Sequence, residues 1–211
     1  MNVLSKILDH KIIAIIRGAR PGDILKISRA LQAGGIRLLE ITMNSAKPLA
    51  AIEEVADTLG DEMVIGAGTV LDPQTARAAI MSGAKFILSP TIDVDTIKMT
   101  RRYGAVSIPG AYTATEILHA YTNGGDIIKV FPATSPEYLK AISGPLPQVP
   151  LLPTGGIGLD NISDFQKAGA VGFGLGSALV DTRQEITDEY LLRLTDKAEQ
   201  FVKAVAAPKP G

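Results

Sequence analysis

Eight short apolar runs recur along this chain at intervals of about 20–27 residues: "KIIAIIR", "IRLLEITM", "MVIGAGTV", "KFILSP", "AVSIPG", "DIIKVFPA", "VPLLPTGG" and "AVGFGLGS". Each has strand length, and between them lie segments of helical period. In "DILKISRALQAGG" Ile24, Ile27 and Leu31 share one face and Gly34-Gly35 stops the helix. "DPQTARAAIMSG" offers Asp72 as N-cap, Pro73 at the first helical position and Gly83 as terminator. Thr113 to Glu116, "TATE", is a capping box, and Ser135-Pro136 opens another helix. One strand–helix unit repeated eight times can close into a (β/α)8 barrel or spread into an open doubly wound sheet. The count of eight, and glycine-rich turns after the last two runs, favour the barrel. "NVLSKILDH" is then a short helix plugging the barrel bottom, "TDEYLLRLTDKAEQFVKAVAA" the long closing helix, and "PKPG" a frayed tail.

Composition agrees and excludes several functions. The 211 residues suit a single domain, 1–211, and 46% hydrophobic content with mean hydropathy +0.21 supplies ample core. A net charge of −1 and a pI of about 6.1 give no bulk field for nucleic acid or an anionic membrane, so neither is expected as a partner. The absence of cysteine rules out disulfides and thiolate metal sites. No run is long enough for a membrane span, and the N-terminal apolar run is too short for a signal peptide. A cytoplasmic location is the expectation.

In a barrel of this kind, chemistry gathers at the C-terminal ends of the strands. The polar and special residues there are Arg17; Glu40, Thr42 and Asn44; Thr69; Ser89, Pro90 and Thr91; Ser107 and Pro109; Lys129 and Phe131; Thr154, Gly155 and Gly156; and Gly174, Gly176 and Ser177. Lys129 is the most informative. Strand side chains alternate faces, so Ile128 and Val130 suit the outer layer and Lys129 and Phe131 point inward. Desolvation depresses the pKa of an inward lysine, and a neutral amine is a nucleophile toward carbonyls. The alternatives are an ion pair with Glu40 or a lysine that snorkels to the rim. Glu40 faces inward by parity with Leu38 and Thr42. It can pair with Lys129 or move protons. Burial would raise its pKa and the lysine lower it, so the sign is not readable from sequence.

"TGG" and "GLGS" end the seventh and eighth runs, where barrels hold phosphate on backbone N–H groups and a helix N-terminus. Ser177 could add a hydroxyl. His10 and His119 lie away from any strand end, so a His–carboxylate metal site is poorly supported. Asp126, at the start of a run, faces the barrel bottom, where stability is the default role.

"LLEITMNS", "VIGAGTVLDPQ", "SPTID", "IIKVFPA", "LLPTGGI" and "GLGSALV" occur in order, and together they resemble the 2-keto-3-deoxy-6-phosphogluconate (KDPG) aldolase / 4-hydroxy-2-oxoglutarate (KHG) aldolase family over about residues 3 to 205. The resemblance implies a TIM-barrel class I aldolase with Lys129 as Schiff-base lysine and Glu40 as proton-transfer group. It places Thr69, Pro90 and Phe131 at the pyruvate end, and Gly155, Gly156 and Ser177 at the phosphate, where Gly176 of "GLGS" is expected as a further backbone donor. It implies a phosphorylated keto-deoxy sugar acid and pyruvate as small-molecule partners, and a homotrimer. One position departs: many members carry arginine four residues after the glutamate, where this chain has Asn44. Arg17 instead closes "AIIRG". This combination also resembles 2-keto-3-deoxy-6-phosphogalactonate aldolase, the C4 epimeric sister, and leaves that configuration open. Rival readings of the same barrel are a phosphosugar isomerase or epimerase using Glu40 as base without covalent adduct, and a non-catalytic phosphometabolite-binding protein.

Overall fold

The structure, a computed structural model, describes residues 2–206. The tail "PKPG" lies outside the described residues. The elements follow in the order α1 (Val3–His10), β1 (Ile12–Ile16), α2 (Pro21–Ala33), β2 (Leu38–Thr42), α3 (Pro48–Leu59), β3 (Val64–Gly68), α4 (Pro73–Met81), β4 (Phe86–Leu88), α5 (Val94–Arg102), β5 (Val106–Ile108), β6 (Gly110–Ala111), α6 (Ala114–Thr122), β7 (Ile128–Val130), α7 (Pro136–Ser143), β8 (Leu151–Pro153), α8 (Ile162–Lys167), β9 (Phe173–Leu175) and α9 (Asp188–Ala206). A 6-stranded parallel sheet runs β5-β4-β3-β2-β1-β9 and a 3-stranded one runs β6-β7-β8. A bridge between Thr154 and Gly174 joins the end of β8 to β9, and Pro109 alone separates β5 from β6. The ring is therefore closed, with eight strand positions, and the open sheet is ruled out. The fifth run, "AVSIPG", differs from its reading as one continuous strand. Pro109 has no N–H to give the ladder, so the position is filled by two short pieces. The Pro109 carbonyl is still used and accepts the Lys129 N–H at 2.9 Å.

The helix signals act where the sequence places them. Asp72 accepts the Thr75 N–H at 2.7 Å with Pro73 behind it, and Thr113 and Glu116 exchange both bonds of the capping box. Each such cap is worth about 1 kcal/mol. Pro21, Pro48, Pro73 and Pro136 open four helices, where the fixed φ is already helical. No helix among the described residues is long and apolar enough to cross a membrane.

Strand alternation divides the core in two. Leu39, Ile41, Ile65, Ala67, Ile128 and Val130 pack outward beneath the helices. Ile13, Leu38, Val64, Phe86, Leu88, Val106, Ile108, Ile127 and Leu152 fill the lumen, joined by Ile7 of α1. Ile7 is fully buried, so α1 does plug the barrel bottom. Burying each such side chain contributes about 1.5–3 kcal/mol. Also at the bottom, Asp126 accepts from Arg101 at 2.6 Å and from the Ser107 N–H at 2.8 Å. That stitches the segment leading into β7 to α5 and β5, a structural role. The lumen is thus apolar and sealed below. Its polar groups lie above, at the strand C-termini.

Candidate active site

β2 and β7 each project one ionisable group into that upper lumen. On β7, Lys129 follows the outward Ile128 and is 2% exposed. Its Nζ stands 5.1 Å from the centroid of the Phe131 ring, a cation–π distance when the amine is charged. On β2, Glu40 lies between the outward Leu39 and Ile41 and is 0% exposed. Among the described residues neither carboxylate oxygen of Glu40 has a hydrogen-bond partner. The lysine has not risen to the rim, and among the described residues it forms no ion pair with Glu40. Burial pushes the Glu40 carboxyl above its ordinary value, against the opposing pull of the Lys129 and Arg17 charges. Burial pushes the Lys129 amine down; Glu40 opposes this and Arg17 assists it. Desolvation thus wins at both groups, and both are driven toward their neutral forms. A neutral amine beside a carboxyl that can give or take a proton is a pair suited to imine chemistry.

The other residues of the mouth arrange around this pair. Arg17, directly after β1, is exposed and forms no ion pair with Glu40. Its carbonyl accepts from Thr182 Oγ1 at 2.6 Å. The neighbouring Gly18 N–H donates to Ser45 Oγ at 2.9 Å, and that hydroxyl is 3.0 Å from Thr42 Oγ1. The end of β1 is thereby tied to the end of β2, and Asn44 sits exposed on the turn between Thr42 and Ser45. Thr69, one residue past β3, holds φ at 56°. A β-branched residue in the left-handed region costs about 1–3 kcal/mol, strain that concentrates at functional sites. Pro90 and Phe131 line a cavity of about 370 Å³ with Thr91, Gly110 and Tyr112, on the β4–β7 side of the mouth.

Gly155 and Gly156 adopt φ of 84° and 72° in succession, which only glycine does at little cost. Their N–H groups, and those of Gly176 and Ser177, have no partner among the described residues. Ser177 is exposed on the turn closed by Leu179 and Val180, whose N–H groups donate to Gly176 O at 2.9 and 2.8 Å. The barrel pattern predicts a helix N-terminus here. After β9 there is a turn instead, and α9 begins only at Asp188. The donors for an anion are loop amides, a nest rather than a helix end.

One residue was passed over as a mere strand-end polar group. Thr154 shares parity with the inward Leu152, is 5% exposed, and its Oγ1 has no partner among the described residues. A buried, unpaired hydroxyl at the top of the lumen is a ready donor or acceptor for a ligand. Parity along "LLPT" was the available signal. His10 and His119 are exposed and remote from the pair. Among the described residues no cluster of three His, Cys, Asp or Glu could hold a metal.

The buried amine has a stability signature. In the window between its lowered folded pKa and the ordinary 10.5, the unfolded chain holds a proton that the folded chain does not. Stability therefore rises with pH across that window, and the cost of the ammonium is full below it. In a Glu40→Gln background, where only the amine titrates, Lys129→Met should raise Tm at neutral pH. The gap should close as pH approaches 10.5. In a chain of this size each kcal/mol relieved gives about 2–4 °C. A pH-independent gap in thermal melts would mean that the amine is not its source.

The family model described as "Aldolase: KDPG and KHG aldolase" matches residues 3–194. The chain is 35% identical to the 2-dehydro-3-deoxy-6-phosphogalactonate aldolase of Escherichia coli, over 92% of this chain and 93% of that protein. It is 39% identical to the 2-dehydro-3-deoxy-phosphogluconate aldolase of Pseudomonas aeruginosa, over 74% and 72% respectively. Among solved structures, it matches a KDPG aldolase from Legionella pneumophila with pyruvate captured as a covalent carbinolamine. That match has a TM-score of 0.80 at 29% identity and covers 93% of this chain and 96% of the other.

Proposed function

The chain belongs to the KDPG and KHG aldolase family and is a class I, Schiff-base pyruvate aldolase; on that premise we propose that it cleaves 2-keto-3-deoxy-6-phosphogluconate to pyruvate and glyceraldehyde 3-phosphate, and 4-hydroxy-2-oxoglutarate to pyruvate and glyoxylate, through Lys129 and Glu40. The observation that carries the proposal is a lysine amine and an unpaired carboxyl, both buried in one lumen below amide-lined loops.

The neutral Lys129 amine attacks the C2 keto carbon, giving a carbinolamine and, with loss of water, an iminium. Glu40, directly or through one water, takes the C4 hydroxyl proton. The C3–C4 electron pair flows into the iminium, the aldehyde departs, and an enamine remains. Protonation at C3 and hydrolysis return pyruvate and free Lys129. Thr69, Pro90 and Phe131 flank the pyruvate portion. The free amides of Gly155, Gly156 and Gly176, with Ser177, receive the phosphate. Arg17 and Asn44 sit where a substrate carboxylate or hydroxyl would be read. The homotrimer belongs to the same reading and rests on family resemblance alone.

A second reading, the 2-keto-3-deoxy-6-phosphogalactonate series, is favoured by Arg17 with Asn44 in place of a post-glutamate arginine, and by the Escherichia coli relative. Assaying both epimeric acids side by side decides between the two. A higher kcat/KM on the gluconate epimer supports the proposal, and a higher value on the galactonate epimer transfers it to the second reading. In the same assay Ser177→Glu should raise KM for the phosphorylated acid by about tenfold or more, since like charge meets the phosphate. Hydroxyoxoglutarate cleavage should change little. Arg17→Ala should weaken both substrates. Equal loss on both from Ser177→Glu, or no loss from Arg17→Ala, would overturn this division.

A further inference from the structure

The inward face of β3 carries almost no side chains. By parity Val64, Gly66 and Gly68 face the lumen, while Ile65 and Ala67 face the helices. Neither Gly66 nor Gly68 has positive φ, so no turn demands glycine here. Glycine inside a strand weakens it, which points to close approach by something else. The neighbours identify what approaches. A methyl at Gly66 would overlap the Phe86 ring, and a methyl at Gly68 would overlap the Glu40 carboxylate and its Cγ.

The register explains the geometry. Glu40 stands opposite Gly66 and Thr42 opposite Gly68. Phe86, reaching over from β4, fills the space at Gly66. The Glu40 side chain, denied that space, leans up and across into the vacancy at Gly68. Both carboxylate oxygens lack hydrogen-bond partners among the described residues, so no polar contact there fixes them. Shape does, and the shape is the missing side chain of Gly68.

We propose that Gly68 is the positioning residue for Glu40: the vacancy at Gly68 holds the carboxylate against β3, out of ion-pair range of Lys129, so that the amine stays free to attack. This rests on Lys129 and Glu40 acting as proposed above. A methyl group in the vacancy leaves the carboxylate only the lumen, where Lys129 lies. Two outcomes follow. The displaced carboxylate is misplaced for the C4 hydroxyl, and it holds a proton on the lysine.

Gly68→Ala should lower kcat about 10- to 100-fold, the scale of a 1 Å misplacement. It should also move the midpoint of the pH–rate profile for borohydride trapping of the pyruvate adduct upward. A purely structural role would leave that midpoint in place. The socket itself is read by stability, whatever Glu40 does in catalysis. With Glu40 present, Gly68→Ala should lower Tm by about 4–10 °C, as overpacking does. In a Glu40→Ala background, where the vacancy is empty, the same change should cost less than half as much. If Gly68→Ala does not fold but Glu40→Ala/Gly68→Ala does, the socket stands. An equal Tm loss in both backgrounds, unfolding in both, or an unmoved pH midpoint would overturn the proposal. Failure of Glu40 as proton-transfer group would appear elsewhere, as a fully active Glu40→Gln enzyme with the Tm coupling intact.

Discussion

Pyruvate and borohydride together will add one reduced pyruvyl group per chain, and the peptide containing Lys129 will carry it. The expectation follows from where the amine sits. An ordinary lysine is about 0.04% neutral at pH 7. Lys129 is 2% exposed, and burial lowers its pKa, so its neutral fraction is larger. Lys129→Arg keeps bulk and charge, but guanidinium cannot shed its proton and supplies no free amine. Labelling should vanish and turnover should fall by about 10⁴ or more, the scale seen when a covalent nucleophile is removed. EDTA should leave trapping unchanged. Intact-mass spectrometry followed by peptide mapping reads the result. Label on another lysine, or residual turnover near wild type in Lys129→Arg, would remove Lys129 from the mechanism. Turnover without any adduct would revive the isomerase or epimerase alternative.

Glu40→Gln should lower kcat by about 10² to 10⁴, the range for losing a positioned acid–base group, while pyruvate trapping at Lys129 persists. The two effects separate because C–C cleavage needs a base at the C4 hydroxyl, whereas an imine to pyruvate has no such hydroxyl. The trapping profile gives a further check on sign. The Glu40 charge raises the Lys129 pKa, so its removal should shift the trapping midpoint to lower pH. Folding should survive, since the side chain keeps its shape and no group that would have to be charged in the lumen is added. Single-turnover cleavage, with trapping in parallel, measures both. Equal loss in both assays would make Glu40 a support for the lysine rather than a partner in bond cleavage.

Much of this site was legible in the sequence because strand alternation is strict. Apolar neighbours on both sides of Lys129 and Glu40 left those two side chains only the lumen, and the structure has them there. The caps at Asp72 and Thr113 and the plug helix were equally local signals. Pro109 was visible as a residue but not as a break, because whether a proline interrupts a strand depends on which neighbour would have taken its N–H. The direction of the Glu40 shift balances desolvation against two cations, and only three-dimensional burial decides it. Thr154 was seen as a strand-end residue, but its want of a partner is a property of the packed lumen. Gly68 was harder still. In "GAGTV" it looks like any turn-making glycine, and only the register with β2 shows that its absent side chain is occupied by another residue's carboxylate.

The seal that Ile7 of α1 makes at the barrel base sets the order of traffic. A vessel closed below has one mouth, so whatever enters first lies deepest and leaves last. On the proposed mechanism pyruvate is tethered at Lys129, deeper in the upper lumen than the aldehyde, which occupies the entrance. In cleavage the aldehyde must clear the opening before pyruvate can follow. In the condensing direction pyruvate must be loaded before the aldehyde arrives, and an aldehyde that arrives early is a plug in the neck rather than a substrate. Ordered kinetics and aldehyde inhibition at high concentration are thus the expected consequence, on that mechanism, of a helix that seals the far end of the barrel.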